Sequence, residues 1–82
     1  MQPFTYEYKG TVYDALAEHS TENGYNRYQI TFDGGCVVIV PAGIPGTGGL
    51  TIWVQSNKSG EKIYPHELIQ AIGDGLENSR IY

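Results

Sequence analysis

Eighty-two residues carry five basic and nine acidic side chains, for a net charge of -4. A chain of this size makes a single α+β domain over 1–82 with a thin core, burying roughly 60–65% of the surface its unfolded form exposes. So acidic a surface, with its few cations scattered, disfavours direct binding to a phosphate backbone.

The longest apolar run, Cys36 to Val40, is far short of the about 20 residues that cross a membrane, and no membrane association is expected. Cys36 is the only cysteine, so no disulfide braces the monomer, and a lone thiol suggests a reducing compartment. No basic and apolar leader opens the chain. A cytoplasmic protein is the expectation.

Phe4, Tyr6 and Tyr8 alternate with Thr5 and Glu7, the period-two pattern of a half-buried strand. Lys9-Gly10 reads as a two-residue turn. A second strand over 11–17 puts Val12 and Leu16 on one face and Thr11, Tyr13 and Ala15 on the other. The same stretch supports a helix over 12–19 through its Ala-Leu-Ala-Glu run, and the turn before it favours the strand. His19 to Asn26 reads as a polar loop around Asn23-Gly24, a dipeptide that accepts positive φ.

Arg27 to Phe32 alternates again, with Tyr28, Ile30 and Phe32 on one side. Asp33-Gly34-Gly35 closes a hairpin. Cys36 to Val40 is a β-branched run that reads as a strand covered on both faces and ended by Pro41. Residues 41–49 hold four glycines and two prolines and read as a loop. Leu50 to Gln55 is a strand with Ile52 and Val54 on one face and Trp53 on the other, followed by a polar loop over 56–62.

Pro65 suits the first turn of a helix. Leu68, Ile72 and Leu76, with Ile69 alongside, give that helix an apolar stripe that ends near Gly75 or just beyond. Glu67, Gln70, Asp74 and Glu77 fall on its other face. Gly73 and Gly75 each cost about 1 kcal/mol against alanine in a helix interior, so their use is a close approach to a sheet or an early stop. The expected architecture is α+β: a four- or five-stranded antiparallel β-meander with one C-terminal helix packed on one face. Ile30, Phe32, Val38, Val40, Leu68 and Ile72 are its predicted core.

Chemistry-bearing patterns are weak. The glycines of the 43–49 loop feed a strand, whereas an anion site needs them to feed a helix N-terminus, and no phosphate-loop spacing is present. His19 and Glu22 lack a third metal ligand, and Ser20 beside His19 makes no triad. His66 sits in the first helical turn beside Glu67. Cys36 reads as a buried core thiol. No cofactor, metal or catalytic set is expected.

The aromatics stand out. Seven tyrosines and one tryptophan are more than so thin a core hides. Tyr6, Tyr8 and Tyr28 are assigned to the helix-covered face, and Tyr13, Tyr25, Trp53, Tyr64 and Tyr82 to partial exposure. Tyrosine and tryptophan are enriched at interface hot spots, although packed rings with wet hydroxyls need no partner.

The functional expectation is therefore a small, acidic, non-enzymatic protein–protein interaction module. It would bind a protein partner, or a second copy as a homodimer, through the sheet face away from the helix. Tyr13, Trp53 and Tyr25 mark that surface, with Gly46 and Gly48 at its edge, and two open strand edges offer further pairing sites. The alternative is an acidic inhibitor of a basic, nucleic-acid-binding enzyme, of phage or mobile-element type, presenting Glu67, Asp74 and Glu77. An enzyme using His19 or His66 with a carboxylate ranks last.

Overall fold

The computed structural model describes residues 1–33, 35–43, 51–56 and 62–79. Five strands form one antiparallel sheet in chain order: β1 (Gln2–Tyr8), β2 (Thr11–Glu22), β3 (Tyr25–Phe32), β4 (Gly35–Gly43) and β5 (Thr51–Gln55). One helix, α1 (His66–Asn78), packs against it. The expected α+β meander with a C-terminal helix is the fold observed.

Two tight hairpins set the register. Lys9-Gly10 joins Tyr8 to Thr11 and Asn23-Gly24 joins Glu22 to Tyr25, all four turn residues having positive φ. Turns of this hand match the right-handed twist of the strands they connect. The second turn corrects the polar loop expected over 19–26. His19 to Thr21 continue β2 in register with Tyr28 to Asn26, and only Asn23 and Gly24 lie outside the strands. Residues 11–17 are strand, as the preceding turn indicates.

Pairing fixes which side chains face the helix. On that side lie Phe4 and Tyr6 of β1, Ala15 and Ala17 of β2, Tyr28 and Ile30 of β3, Val37 and Ile39 of β4, and Trp53 of β5. Ile69, Ile72 and Leu76 complete the core from α1. Phe4 stands opposite Ala15 and Ile30 opposite Ala17, so each small side chain is matched by a large one and the layer fills without crowding.

Part of the predicted core is corrected by one residue. Ile30 and Ile72 are buried, and Phe32 and Leu68 are half-buried against the core. Val38 and Val40, however, turn to the outer face, while Val37 and Ile39 face the helix. The physical reason is register, since a shift of one residue exchanges the two faces of a strand. The same parity puts Cys36 on the outer face, exposed rather than in the core. Pro41 ends only the β3–β4 ladder, which stops at the Tyr28–Ile39 pair, while β4 stays paired with β5 as far as Gly43.

The sheet curls so far that α1 reaches both outermost strands, packing mainly on β1 and β5. The two helical glycines make this fit possible. A Cβ on Gly73 would enter the Trp53 indole of β5, and one on Gly75 would strike Thr5 O and Tyr6 of β1. Of the two uses expected for these glycines, close approach is the one found.

Polar side chains then close the outer edge of β5. The Trp53 backbone N–H donates to Gln70 Oε1 at 3.0 Å, and Gln70 Nε2 donates to Thr51 O at 3.0 Å. His66 Nε2 donates to Trp53 O at 3.2 Å, as a carbonyl partner requires. The Gln70 amide thus stands where a sixth strand would otherwise pair. One amide further on, Gln55 accepts from Tyr64 N–H at 2.9 Å and donates to Lys62 O at 2.7 Å.

Candidate functional site

Capping of the β5 edge removes one expected docking route. With β5 capped by Gln70 and His66, that edge does not offer the open ladder that the sequence reading supposed.

Trp53 and Tyr13 are also corrected as markers of the outer surface. Trp53 is 0% exposed. It lies under Gly73 with its ring edge-on to Tyr28 at 5.6 Å, because its parity in β5 turns it toward the helix. Tyr13 is partly exposed but projects on the helix side, stacked on Tyr6 at 5.4 Å. Tyr25 is 75% exposed, as expected, at the far end of β3. Tyr64 is half-buried, edge-on to Phe32. Gly46, Gly48 and Tyr82 lie outside the described residues.

Both histidines have local partners. His19 Nε2 lies 2.9 Å from Asn26 Oδ1 and its ring leans on Tyr28 at 4.9 Å, while His66 is engaged on the β5 edge. Among the described residues no group of three or more His, Cys, Asp or Glu side chains is arranged to hold a metal. Cys36 Sγ accepts from Gln29 Nε2 at 3.4 Å on the outer face.

The acidic helix face divides. Glu67 and Asp74 are exposed and, with Glu7 of β1, line a shallow groove of about 520 Å³. Glu77 does not join them, because its Oε1 accepts the Trp53 indole N–H at 2.7 Å.

A further concavity among the described residues lies on the outer face of β1, β2 and β3. It is an open groove of about 720 Å³. Pro3, Val12 and Leu16 form its apolar floor, and Val12 is 63% and Leu16 39% exposed. Asp14 stands between Val12 and Leu16 on the same face of β2. Asp33, following the last residue of β3 in register with β2, comes level with Asp14 across the strands. Thr5 and Thr31 supply hydroxyls at its sides.

Asp33 also acts on the neighbouring end of the sheet. Burial raises the pKa of the Tyr6 phenol above its ordinary value, and the charges of Tyr13 and Asp33 raise it further.

The sequence reading paired Val12 with Leu16 on one face and attached no role to them. The usable signal was the contrast within β2: alanines at 15 and 17 on one side, and Val12, Asp14 and Leu16 on the other. Small residues can be the buried set when neighbouring strands supply bulk, leaving the larger ones outside.

Comparison with protein-family models, curated proteins and solved structures yields no match.

Proposed function

We propose that this protein is a non-enzymatic protein-binding module that takes its partner on the outer face of the sheet, over Val12 and Leu16. One observation carries the reading: two large aliphatic side chains on one face of β2 are exposed at a groove of about 720 Å³. Apolar surface gathered in a concavity and rimmed by polar groups marks interaction sites. With the outer edge of β5 capped, docking on the face is favoured over strand addition. The net charge of -4 sets the module against nucleic acid. An exposed, unpaired Cys36 fits a reducing compartment such as the cytoplasm.

Site-specific photo-crosslinking tests it. A benzophenone side chain replaces Leu16 or, as a control, Thr21, and cells of the source organism are irradiated. A discrete adduct from position 16 and none from position 21 is the expected result. No adduct from position 16, or equal adducts from both, defeats the reading.

A second reading rests on the groove of Glu7, Glu67 and Asp74. Three carboxylates there suit an inhibitor of a basic enzyme, with Glu77 no longer part of the surface. Such binding weakens steeply with salt and is abolished by Glu67→Lys with Asp74→Lys, whereas binding over Val12 and Leu16 survives that pair of changes.

A further inference from the structure

We infer that the segment seated in the Val12–Leu16 groove is cationic as well as apolar: a partner stretch in which lysine or arginine is flanked by aliphatic side chains. The inference rests on the reading of this face as a binding face and adds the chemistry of its occupant.

The argument starts from charge placement. Asp14 lies on β2 and Asp33 directly follows Phe32, the partner of Ala15, so the chain brings two exposed carboxylates to the same groove. The described lysines and arginine are engaged or placed elsewhere, the Lys62 ammonium lying over the Tyr64 ring at 5.2 Å. The Lys9 ammonium lies over the Tyr8 ring at 5.3 Å, and Tyr8 belongs to the helix side of β1. Arg27 stands opposite Ser20, two same-face rungs beyond the Leu16–Thr31 pair. An incoming ammonium or guanidinium therefore meets two carboxylates at one groove.

The floor supplies the other half of the recognition. Pro3, Val12 and Leu16 are exposed, and aliphatic neighbours of the cation cover them. Thr5 and Thr31 hydroxyls lie within the same groove and can accept the remaining N–H groups of the cation. A second copy is a poor occupant, because a symmetric contact through this groove brings two pairs of carboxylates together. A carboxylate- or phosphate-bearing partner meets the same repulsion.

Selection from a random dodecapeptide library, followed by NMR titration of the best synthetic peptide, tests the occupant. The expected outcome is enrichment of sequences with Lys or Arg between aliphatic residues, with amide shifts concentrated at Val12, Asp14, Leu16 and Thr31. Asp14→Asn with Asp33→Asn preserves shape at two exposed positions and so retains the fold. It should weaken binding by about tenfold or more. Enriched peptides without cations, shifts centred on Glu67 and Asp74, affinity unchanged in the double variant, or no enrichment at all overturns the inference.

The crosslinking experiment separates this failure from that of the function itself. If the Leu16 adduct forms and persists undiminished in the Asp14→Asn, Asp33→Asn protein, the binding face stands and the cationic occupant falls. If position 16 yields no adduct, the face itself is lost.

Discussion

The indole N–H of Trp53 donates to the Glu77 carboxylate at 2.7 Å, so the most buried aromatic ring of the sheet is held by the last turn of the helix. Hydrogen bonds to charged acceptors are worth about 1.5–3 kcal/mol. Glu77→Ala leaves the indole N–H without that partner, and urea denaturation followed by tryptophan fluorescence should show a loss of that size. Glu77→Gln keeps an acceptor and should lose less. Equal losses for the two variants would mean that the carboxylate charge contributes nothing.

The glycines of α1 predict a sharper effect. Gly73→Ala drives a methyl into the Trp53 indole and Gly75→Ala drives one into the β1 backbone. Helix propensity alone would make each change stabilising by about 1 kcal/mol. Overpacking against fixed neighbours should win, costing about 3 kcal/mol. A raised midpoint in chemical denaturation for either variant would show that the helix does not lie this close to the strands.

Gln70 substitutes for a missing strand. Gln70→Leu fills similar space but leaves Trp53 N–H and Thr51 C=O without their partner. The expected result is a loss of about 1–3 kcal/mol together with concentration-dependent association in sedimentation velocity, since an uncapped edge pairs with other chains. A variant that stays monomeric and fully stable would remove the capping role.

Tyr6 gives the protein an alkaline limit. Its phenol has a pKa raised in the folded state by burial and by Tyr13 and Asp33. The stability linked to this group is fully present below the unfolded value near 10 and is lost as pH rises through the folded one. Tyr6→Phe removes the ionisable group and keeps the ring. Above about pH 10, wild type should therefore lose stability more steeply than the variant. Parallel curves would show that the other tyrosines carry the whole effect.

Two leucines separate core from periphery. Leu76 is fully buried, whereas Leu68 is half-buried at the margin of the core. Leu76→Ala should cost about 2–5 kcal/mol and Leu68→Ala markedly less, read by the same denaturation series. The reverse order would place the helix in a different rotation about its axis.

Where hydropathy alternates cleanly, the fold was legible. Phe4, Tyr6 and Tyr8, and again Tyr28, Ile30 and Phe32, announce both strand and buried face, and the spacing of α1 does the same with period 3.6. Val37 to Val40 are all aliphatic, so nothing in their order says which two point inward. Trp53 between Ile52 and Val54 has the same ambiguity, and only pairing with β4 resolves it. His19 to Thr21 are polar on both sides because this end of β2 is exposed, which hides a strand behind the composition of a loop. The outer groove was concealed for a related reason, since it depends on Asp33 coming level with Asp14, a relation between strands that spacing along one strand does not carry.

The bridging of both sheet borders by α1 also has a temporal side. During synthesis the hairpins can form as soon as their strands emerge, while the element that shields β1 and β5 is still being made. At ordinary elongation rates the stretch from Gln55 to Asn78 takes roughly 1–5 s to assemble. For that interval the nascent sheet is exposed at both ends and open to neighbouring chains. Its safety in the cell is set by how quickly the helix arrives as well as by how tightly it docks.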